Sequence, residues 1–457
     1  MSPASSAAQA ARRRSAGTAA PKLAVPALTA ARRPRKVSTV EQTLDNGLRV
    51  IVVRRPSVPM FELRLAVPFF STRSTHHARS MLLASTMLSG TDRHDRHGLA
   101  TAAGQLGAEI GLSVDPDRLL LSTSALATGL RPMLDLVAEI VTGASYPARE
   151  VAGERDRLVD RTQVSRSSAG VLAGDAFARR LLPGHPYGQA LPDEQQIAAT
   201  TATQLRALHR SLVRPEGAVL VLVGDLSPAR AVAAVQAALA GWTGAAEVSP
   251  AKPVPLVGHL PLLVVDRPGS VQTSLRFGGP ALPRTDANYP ALQLANLAFG
   301  GYFSSRWVEN IRENKGYSYS PRSLIDHARL ASTFELTADV ATEVTAPAVL
   351  ETLYELGRIA TRPIDASELE SVQQYAIGTL ALATSTQAGL ATQLSALAGA
   401  GLGTEWLAEH PARLLRVTTE EVAAAAHRFL APQRLVGVAV GDAGQITDPL
   451  SSVIDLA

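Results

Sequence analysis

Arg312 and Tyr319 are the side chains whose types and spacing best suit chemistry. They stand seven residues apart in Phe299-Gly-Gly-Tyr-Phe-Ser-Ser-Arg-Trp-Val-Glu-Asn-Ile-Arg-Glu-Asn-Lys-Gly-Tyr-Ser-Tyr319. An arginine keeps its charge, and a tyrosine adds a neutral O–H donor. Two such donors aimed at one peptide carbonyl would stabilise the oxyanion that forms there. The structural alternative is that Arg312 caps backbone carbonyls and Tyr319 packs in a core.

The flanking residues specify how the pair is held. Gly300-Gly301 permits tight backbone turns before a helix. Ser304-Ser305 can cap that helix, Arg306 to Asn314 carries it, and Gly316 stops it. The chain then enters a strand at Tyr317-Ser-Tyr319. Arg312 near a helix end and Tyr319 on the next strand can converge on one point.

The wider chain reads as two copies of one unit. Strand-like runs lie at 42–53, around an Asn46-Gly47 turn, and at 61–67, 108–114, 118–124 and 217–225. Helical patterns cover 80–88, 99–106, 129–142, 148–165 and 229–240. In the second half, strands are expected at 262–265, 272–277 and 324–338, with helices at 291–299, 304–312, 346–361 and 367–383. Residues 433–442 echo 217–225. The expected division is a basic tail at 1–37, a first domain at 38–242, a linker at 243–260 and a second domain at 261–457.

Composition narrows the function classes. There is no cysteine, so disulfides, thiolate zinc sites and cysteine nucleophiles are excluded. No apolar run is long enough for a membrane span. The net charge of +4 is misleading. Arg12, Arg13, Arg14, Lys22, Arg32, Arg33, Arg35 and Lys36 all lie in the tail. Removing those eight from the 44 basic residues leaves 36 against 40 acids. The basicity therefore belongs to the tail, which argues against nucleic-acid binding. The tail has no apolar core of a secretory signal and reads as a disordered extension. Its acid-free, Arg- and Ser-rich character alternatively suits a mitochondrial presequence. Arginine in place of lysine and abundant alanine fit a GC-rich bacterial genome.

The segment from Gly300 to Tyr319 closely resembles the second domain of the insulinase-like, processing-peptidase-like (M16, M16B) zinc peptidases. Gly184-His-Pro-Tyr-Gly-Gln189 and the run Arg214 to Pro228 resemble two further segments of that family. The likeness covers roughly residues 38–445. It implies that Arg312 and Tyr319 reach the substrate carbonyl, and that Gly300, Gly301, Tyr302, Phe303 and Ser304 line the substrate. Tyr302 stands where relatives often carry a small residue, so its ring is expected to narrow the chamber. His185 is expected to order its loop beside Pro186 and Tyr187.

The family's first domain carries His-x-x-Glu-His on a helix, with a third ligand, Glu, about 75 residues later. The two histidines bind zinc and the Glu between them acts as base. Aligning on Met87-Leu-Ser-Gly-Thr91 places Met81, Leu82, Leu83, Ala84 and Ser85 on that motif. Met81 and Ser85 replace the histidines and Ala84 replaces the base. The distal position falls at Arg161, or at Asp160 with a one-residue slip. His76 and His77 point about 100° apart on a helix and rarely hold one ion together, His94 and His97 lie in a charged loop, and all four read as solvated surface histidines.

The resemblance implies an α+β fold of two homologous domains, each a mainly antiparallel sheet packed with helices, forming half of a clam-shell. The expected function is the non-catalytic, Arg/Tyr-contributing subunit of a heterodimeric zinc peptidase acting on peptides or unfolded segments. No cofactor is expected on this chain. Zn2+ and His-x-x-Glu-His would come from a catalytic partner subunit. Neither nucleic acid nor membrane is an expected partner. The expected compartment is the bacterial cytoplasm, or the mitochondrial matrix if the tail is a presequence. Two other readings stand beside this one. The first is a purely structural or binding protein of the same fold, like the core subunits of the cytochrome bc1 complex or the processing peptidase's alpha subunit. The second is an active homodimeric peptidase with a divergent metal site.

Overall fold

Two β-sheets with the same strand order organise the chain. The computed structural model describes residues 38–247, 254–255 and 257–457. The basic tail and the middle of the expected linker lie outside the described residues.

The first sheet contains β1 (Thr39–Thr43), β2 (Arg49–Arg54), β3 (Met60–Pro68), β4 (Ile110–Val114), β5 (Arg118–Leu126) and β6 (Val219–Gly224). Its order is β1-β2-β6-β3-β5-β4, with only β2 and β6 parallel. The second contains β7 (Leu263–Asp266), β8 (Gln272–Ala281), β9 (Arg322–His327), β10 (Ser332–Ala341) and β11 (Val436–Gly441). Its order is β7-β11-β8-β10-β9, with only β7 and β11 parallel. Apart from β1, strand follows strand in the same arrangement, so the fold is α+β and internally repeated.

Local sequence explains the turns and burial. Gly47 takes φ +84° in the first hairpin, and Asn46 donates to the carbonyls of Leu239 and Trp242. β3 alternates Phe61, Leu63 and Leu65 into the core with Glu62 and Arg64 on its other face. The fully apolar β6 and β11 are buried along their whole length, which requires cover on both faces.

That cover crosses between the halves. The first half's helices are α1 (His76–Thr86), α2 (Arg96–Gln105), α3 (Leu130–Gly143), α4 (Ala148–Arg166), α5 (Ala169–Leu181), α6 (Glu194–Ala198), α7 (Ala202–Leu212) and α8 (Pro228–Ala238). The second half's are α9 (Tyr289–Asn296), α10 (Arg306–Val308), α11 (Thr345–Thr361), α12 (Ala366–Ala383), α13 (Gln387–Gly399), α14 (Thr404–Arg416), α15 (Thr419–Phe429) and α16 (Ala443–Ser451). α13 lays Leu390, Ala391, Leu394 and Ala398 over Ile51, Val53, Val221 and Val223 of the first sheet. α5 lays Ala173, Phe177 and Leu181 over Val436, Val438 and Val440 of the second. Gly278 makes room for this, because a Cβ there would meet the Phe177 ring at 2.7 Å. Val37–Ala457 accordingly forms one compact unit.

The sequence expectations need three corrections near the candidate site. Tyr317 to Tyr319 is not a strand, since β9 begins at Arg322. The expected helices at 291–299 and 304–312 are mixed. α9 runs into a π-helix at Leu297–Gly301, and α10 into a second at Glu309–Asn314. Ser305 occupies the N-cap without a capping hydrogen bond, its hydroxyl donating to Tyr302 O at 2.6 Å instead.

Candidate functional site

The Arg312 segment is fixed from its buried side. Trp307 is fully buried, stacks on Phe299 at 5.4 Å and donates to Thr352 Oγ1 at 3.0 Å. Gly300 permits this closeness, for a Cβ there would lie 2.9 Å from the Trp307 ring. Gly300 and Gly301 thus serve close packing inside a π-helix rather than an open turn. Arg306 makes two bonds to Glu368, at 2.8 and 2.6 Å. Ile311 is fully buried, so its neighbour Arg312 faces outward with its side chain 29% exposed.

Beyond the π-helix, Gly316 takes φ +67° and reverses the chain. Tyr317 N and Ser318 N donate back to Ile311 O, and the Ser318 hydroxyl donates to Asp339 O at 2.8 Å. Tyr317 packs against the second-half core. These anchors leave Tyr319 81% exposed, with its ring beside Arg312. The guanidinium carbon lies 4.8 Å from the Tyr319 ring centre and 4.6 Å from that of Phe303. Its Nε faces Glu313 Oε1 at 3.2 Å. Phe303 is itself 57% exposed. The structure therefore brings Arg312, Tyr319 and Phe303 together on an open surface. Rings over the guanidinium's face leave its edge N–H groups able to donate, Nε toward Glu313.

Tyr302 turns elsewhere. Its ring meets Tyr375 of α12 at 4.8 Å, half-buried against the core. Burial and then the nearby Glu368 raise its hydroxyl pKa.

The resemblance-derived zinc positions lie on α1, against which α4 packs. Leu82 and Leu83 are core residues, and Met81 and Ala84 pack partly buried beside them. Ser85 is exposed and its hydroxyl donates to Leu82 O at 3.1 Å. Arg161 donates to Glu154 Oε1 at 2.7 Å, while Arg157 occupies Oε2 at 2.9 Å. Burial raises the Glu154 pKa, but these two arginines outweigh it and hold the carboxylate below its usual range. A thioether, a methyl, a hydroxyl and a guanidinium are not a zinc donor set. Among the described residues no group of three or more His, Asp or Glu is placed to hold a metal ion.

The nearby histidines are less solvated than their sequence suggests. His76 and His77 are half-buried, and His76 meets the Phe69 ring at 5.4 Å. Burial lowers both pKa values, that of His76 to about 4. His94 is bound to Glu139 Oε1 at 2.9 Å. His97 lies exposed on α2, whose N-cap Asp95 accepts from Gly98 N at 2.7 Å.

His185 orders its loop by accepting from Tyr187 N at 3.2 Å and stacking on Phe70. Tyr187 donates to Asp117 at 2.5 Å, and Asp117 accepts from Arg329 N at 2.7 Å. This chain of bonds ties the first half to the β9–β10 hairpin. It borders a cleft of about 880 Å³ between the halves, lined by Asp117, Tyr187, Arg284, His327, Arg329 and Glu335 among others. Neither Arg312, Tyr319 nor Phe303 lines that cleft. The Arg/Tyr pair occupies an open face, where only an apposed surface can exclude water.

Comparison with known proteins places this architecture. Residues 199–375 match the family model described as "Peptidase M16 inactive domain". An uncharacterized zinc protease of Mycobacterium leprae is 25% identical over 297 residues, covering 64% of this chain and 67% of that protein. A probable inactive metalloprotease of Bacillus subtilis is 25% identical over 214 residues, covering 45% of this chain and 48% of that protein. Among solved structures, a peptidase M16 inactive domain from Pseudomonas fluorescens superposes with TM-score 0.80 at 24% identity, covering 88% of this chain and 98% of that one. A protease from Helicobacter pylori gives TM-score 0.81 at 15% identity, covering 89% and 100%. The fold is that of M16 peptidase-like proteins, and residues 199–375 are similar to that family's inactive domain. The family-model match spans the Arg/Tyr segment and leaves out the α1 positions.

Proposed function

We propose that this chain is the Arg/Tyr-contributing subunit of a heterodimeric M16 peptidase whose partner carries the zinc site. The carrying observation is an asymmetry. Arg312, its side chain 29% exposed, and the exposed Tyr319 lie together on the second half, whereas the α1 positions hold Met81, Ala84 and Ser85. In this reading a His-x-x-Glu-His subunit closes over the open face. Arg312 and Tyr319 then donate to the oxygen of the scissile carbonyl as negative charge develops on it. Phe303 and Ser304 border the peptide in this reading, and domains at 38–242 and 261–457 form half of a clam-shell. Substrates are peptides or unfolded segments, recognised through backbone hydrogen bonds. Among the described residues no helix is long and apolar enough to cross a membrane. Light scattering of this chain mixed with a His-x-x-Glu-His homologue encoded beside it tests the pairing. A one-to-one complex supports the proposal. Two species that never associate favour the binding or structural reading instead.

A further inference from the structure

Arg312 sits in the second π-helix, and π-helical turns are rare and recur at functional sites. The signature is Lys315 N donating to Asn310 O, five residues back, at 3.0 Å. Each residue of a regular helix turns the chain by about 100°, so an added residue per turn re-aims the side chains that follow. Something must hold this segment against relaxation to an α-helix, and the contacts opposite Arg312 do so. Asn310 is buried, and its amide donates to Glu351 at 2.9 Å and to Glu355 at 2.9 Å, both on α11. Glu355 is 2% exposed and accepts also from Arg358 at 3.1 Å. Lys315, just beyond the segment, pairs with Glu351 at 2.9 Å. Two carboxylates of one helix thus grip both ends of the wide turn.

We propose that the Asn310–Glu355 contact locks Glu309–Asn314 in its π-helical form and so aims Arg312 at Tyr319 and Phe303, making Asn310 a positioning residue. The functional part of this inference rests on the role proposed above for Arg312. The geometric part does not. Without the Asn310 amide, Glu355 loses a partner in a buried site and the turn keeps only the Lys315–Glu351 pair at its far end. The guanidinium then leaves the two rings.

The test reads position and turnover separately. In the full chain labelled at arginine, the Arg312 side-chain resonance is assigned by its loss in Arg312→Lys. The rings of Phe303 and Tyr319 shift it away from exposed arginines. Asn310→Ala is expected to move it back among them, and Glu355→Ala to do the same. The double variant should move it no further than Asn310→Ala alone, because the Asn310–Glu355 contact is the one both remove. Glu355→Gln keeps an acceptor for the amide and should keep the shift, showing that the fold tolerates substitution there. In the two-chain complex, Asn310→Ala should lower kcat roughly ten- to a hundredfold with KM little changed, the effect of a misaimed group. A folded Asn310→Ala chain with its Arg312 resonance unmoved overturns the lock. A moved resonance with undiminished turnover upholds the lock and removes Arg312 from the chemistry.

Discussion

The guanidinium carbon of Arg312 lies 4.8 Å from the centre of the Tyr319 ring, although the two residues are separated by a π-helix, a left-handed glycine and a turn. The contact is made at the surface, where a stacked cation gains only about 0.5–1 kcal/mol. Stability therefore gives little reason to hold an arginine and an 81% exposed tyrosine in register, whereas the shared ligand proposed for them would.

The two donors can be separated by substitution. Arg312→Ala removes charge, donors and stack, and Tyr319→Phe removes only the hydroxyl while the ring stays over the guanidinium. Each should lower turnover of the two-chain complex by roughly ten- to a thousandfold, the scale of one lost oxyanion donor. Neither should alter folding, because both side chains lie outside the core. Steady-state peptide cleavage and thermal melts of the variants check this, and unchanged turnover in both would leave the pair with a structural role.

The crossed helices bind the halves together energetically. Phe177→Ala should destabilise the chain by about 3–5 kcal/mol and Leu394→Ala by about 2–5 kcal/mol. Each residue covers the sheet of the opposite half, so either loss should loosen both halves in one transition. Denaturant unfolding followed by probes in each half checks the coupling; two separate transitions in the wild-type chain would refute it.

Acid should weaken the fold through buried histidines. His209 is held neutral by burial, its pKa lowered from 6.5 to about 4, while it bonds Tyr146 OH at 2.8 Å and Val141 O at 2.9 Å. His76, His327 and His410 are likewise lowered to about 4 by burial. The unfolded chain takes up these protons near pH 6.5, and the folded chain only near 4. Stability is thus full above 6.5 and falls as pH drops toward 4, by up to ~1.4 kcal/mol per unit for each group. Melting midpoints from pH 7 to 4 should decline steadily, and a flat profile would show that these histidines charge freely in the folded state.

Metal should matter to the complex and not to this chain's fold. Dialysis against a chelator should leave the melting midpoint of the isolated chain unchanged, since Met81, Ala84 and Ser85, the positions the resemblance aligns with the zinc motif, offer no zinc donor set. A midpoint raised by added zinc would reveal a site of different composition. In the two-chain complex the same treatment should abolish cleavage, with recovery on adding zinc.

Much of this architecture could be read from the chain. Period-two runs such as 61–67 and the turn at Asn46-Gly47 marked strands, and the echo of 217–225 in 433–442 marked the repeat. No helix is expected from sequence over 169–181 or 387–399, and the apolar residues Ala173, Phe177 and Leu181, and Leu390, Leu394 and Ala398, say nothing of the distant sheet each set covers. A helical period cannot separate four-residue from five-residue hydrogen bonding over one turn, so the sequence distinguishes neither π-helix from α-helix. Tyr317 to Tyr319 looks strand-like by composition, but the reversal at Gly316 and the Ser318–Asp339 bond hold it outside the sheet. Phe303 was expected to line substrate, and its place against Arg312 depends on the fold of the preceding loop. His76 and His77 looked solvated because their burial comes from contacts such as Phe69 that polarity alone does not reveal.

Peptide cleavage by this chain alone, by a His-x-x-Glu-His homologue encoded beside it, and by the mixture, all with zinc present, bears most directly on the central claim. The account predicts cleavage by the mixture only, lost again when Arg312→Ala replaces the wild-type chain. Cleavage by this chain alone, or a homologue equally active without it, would contradict that account.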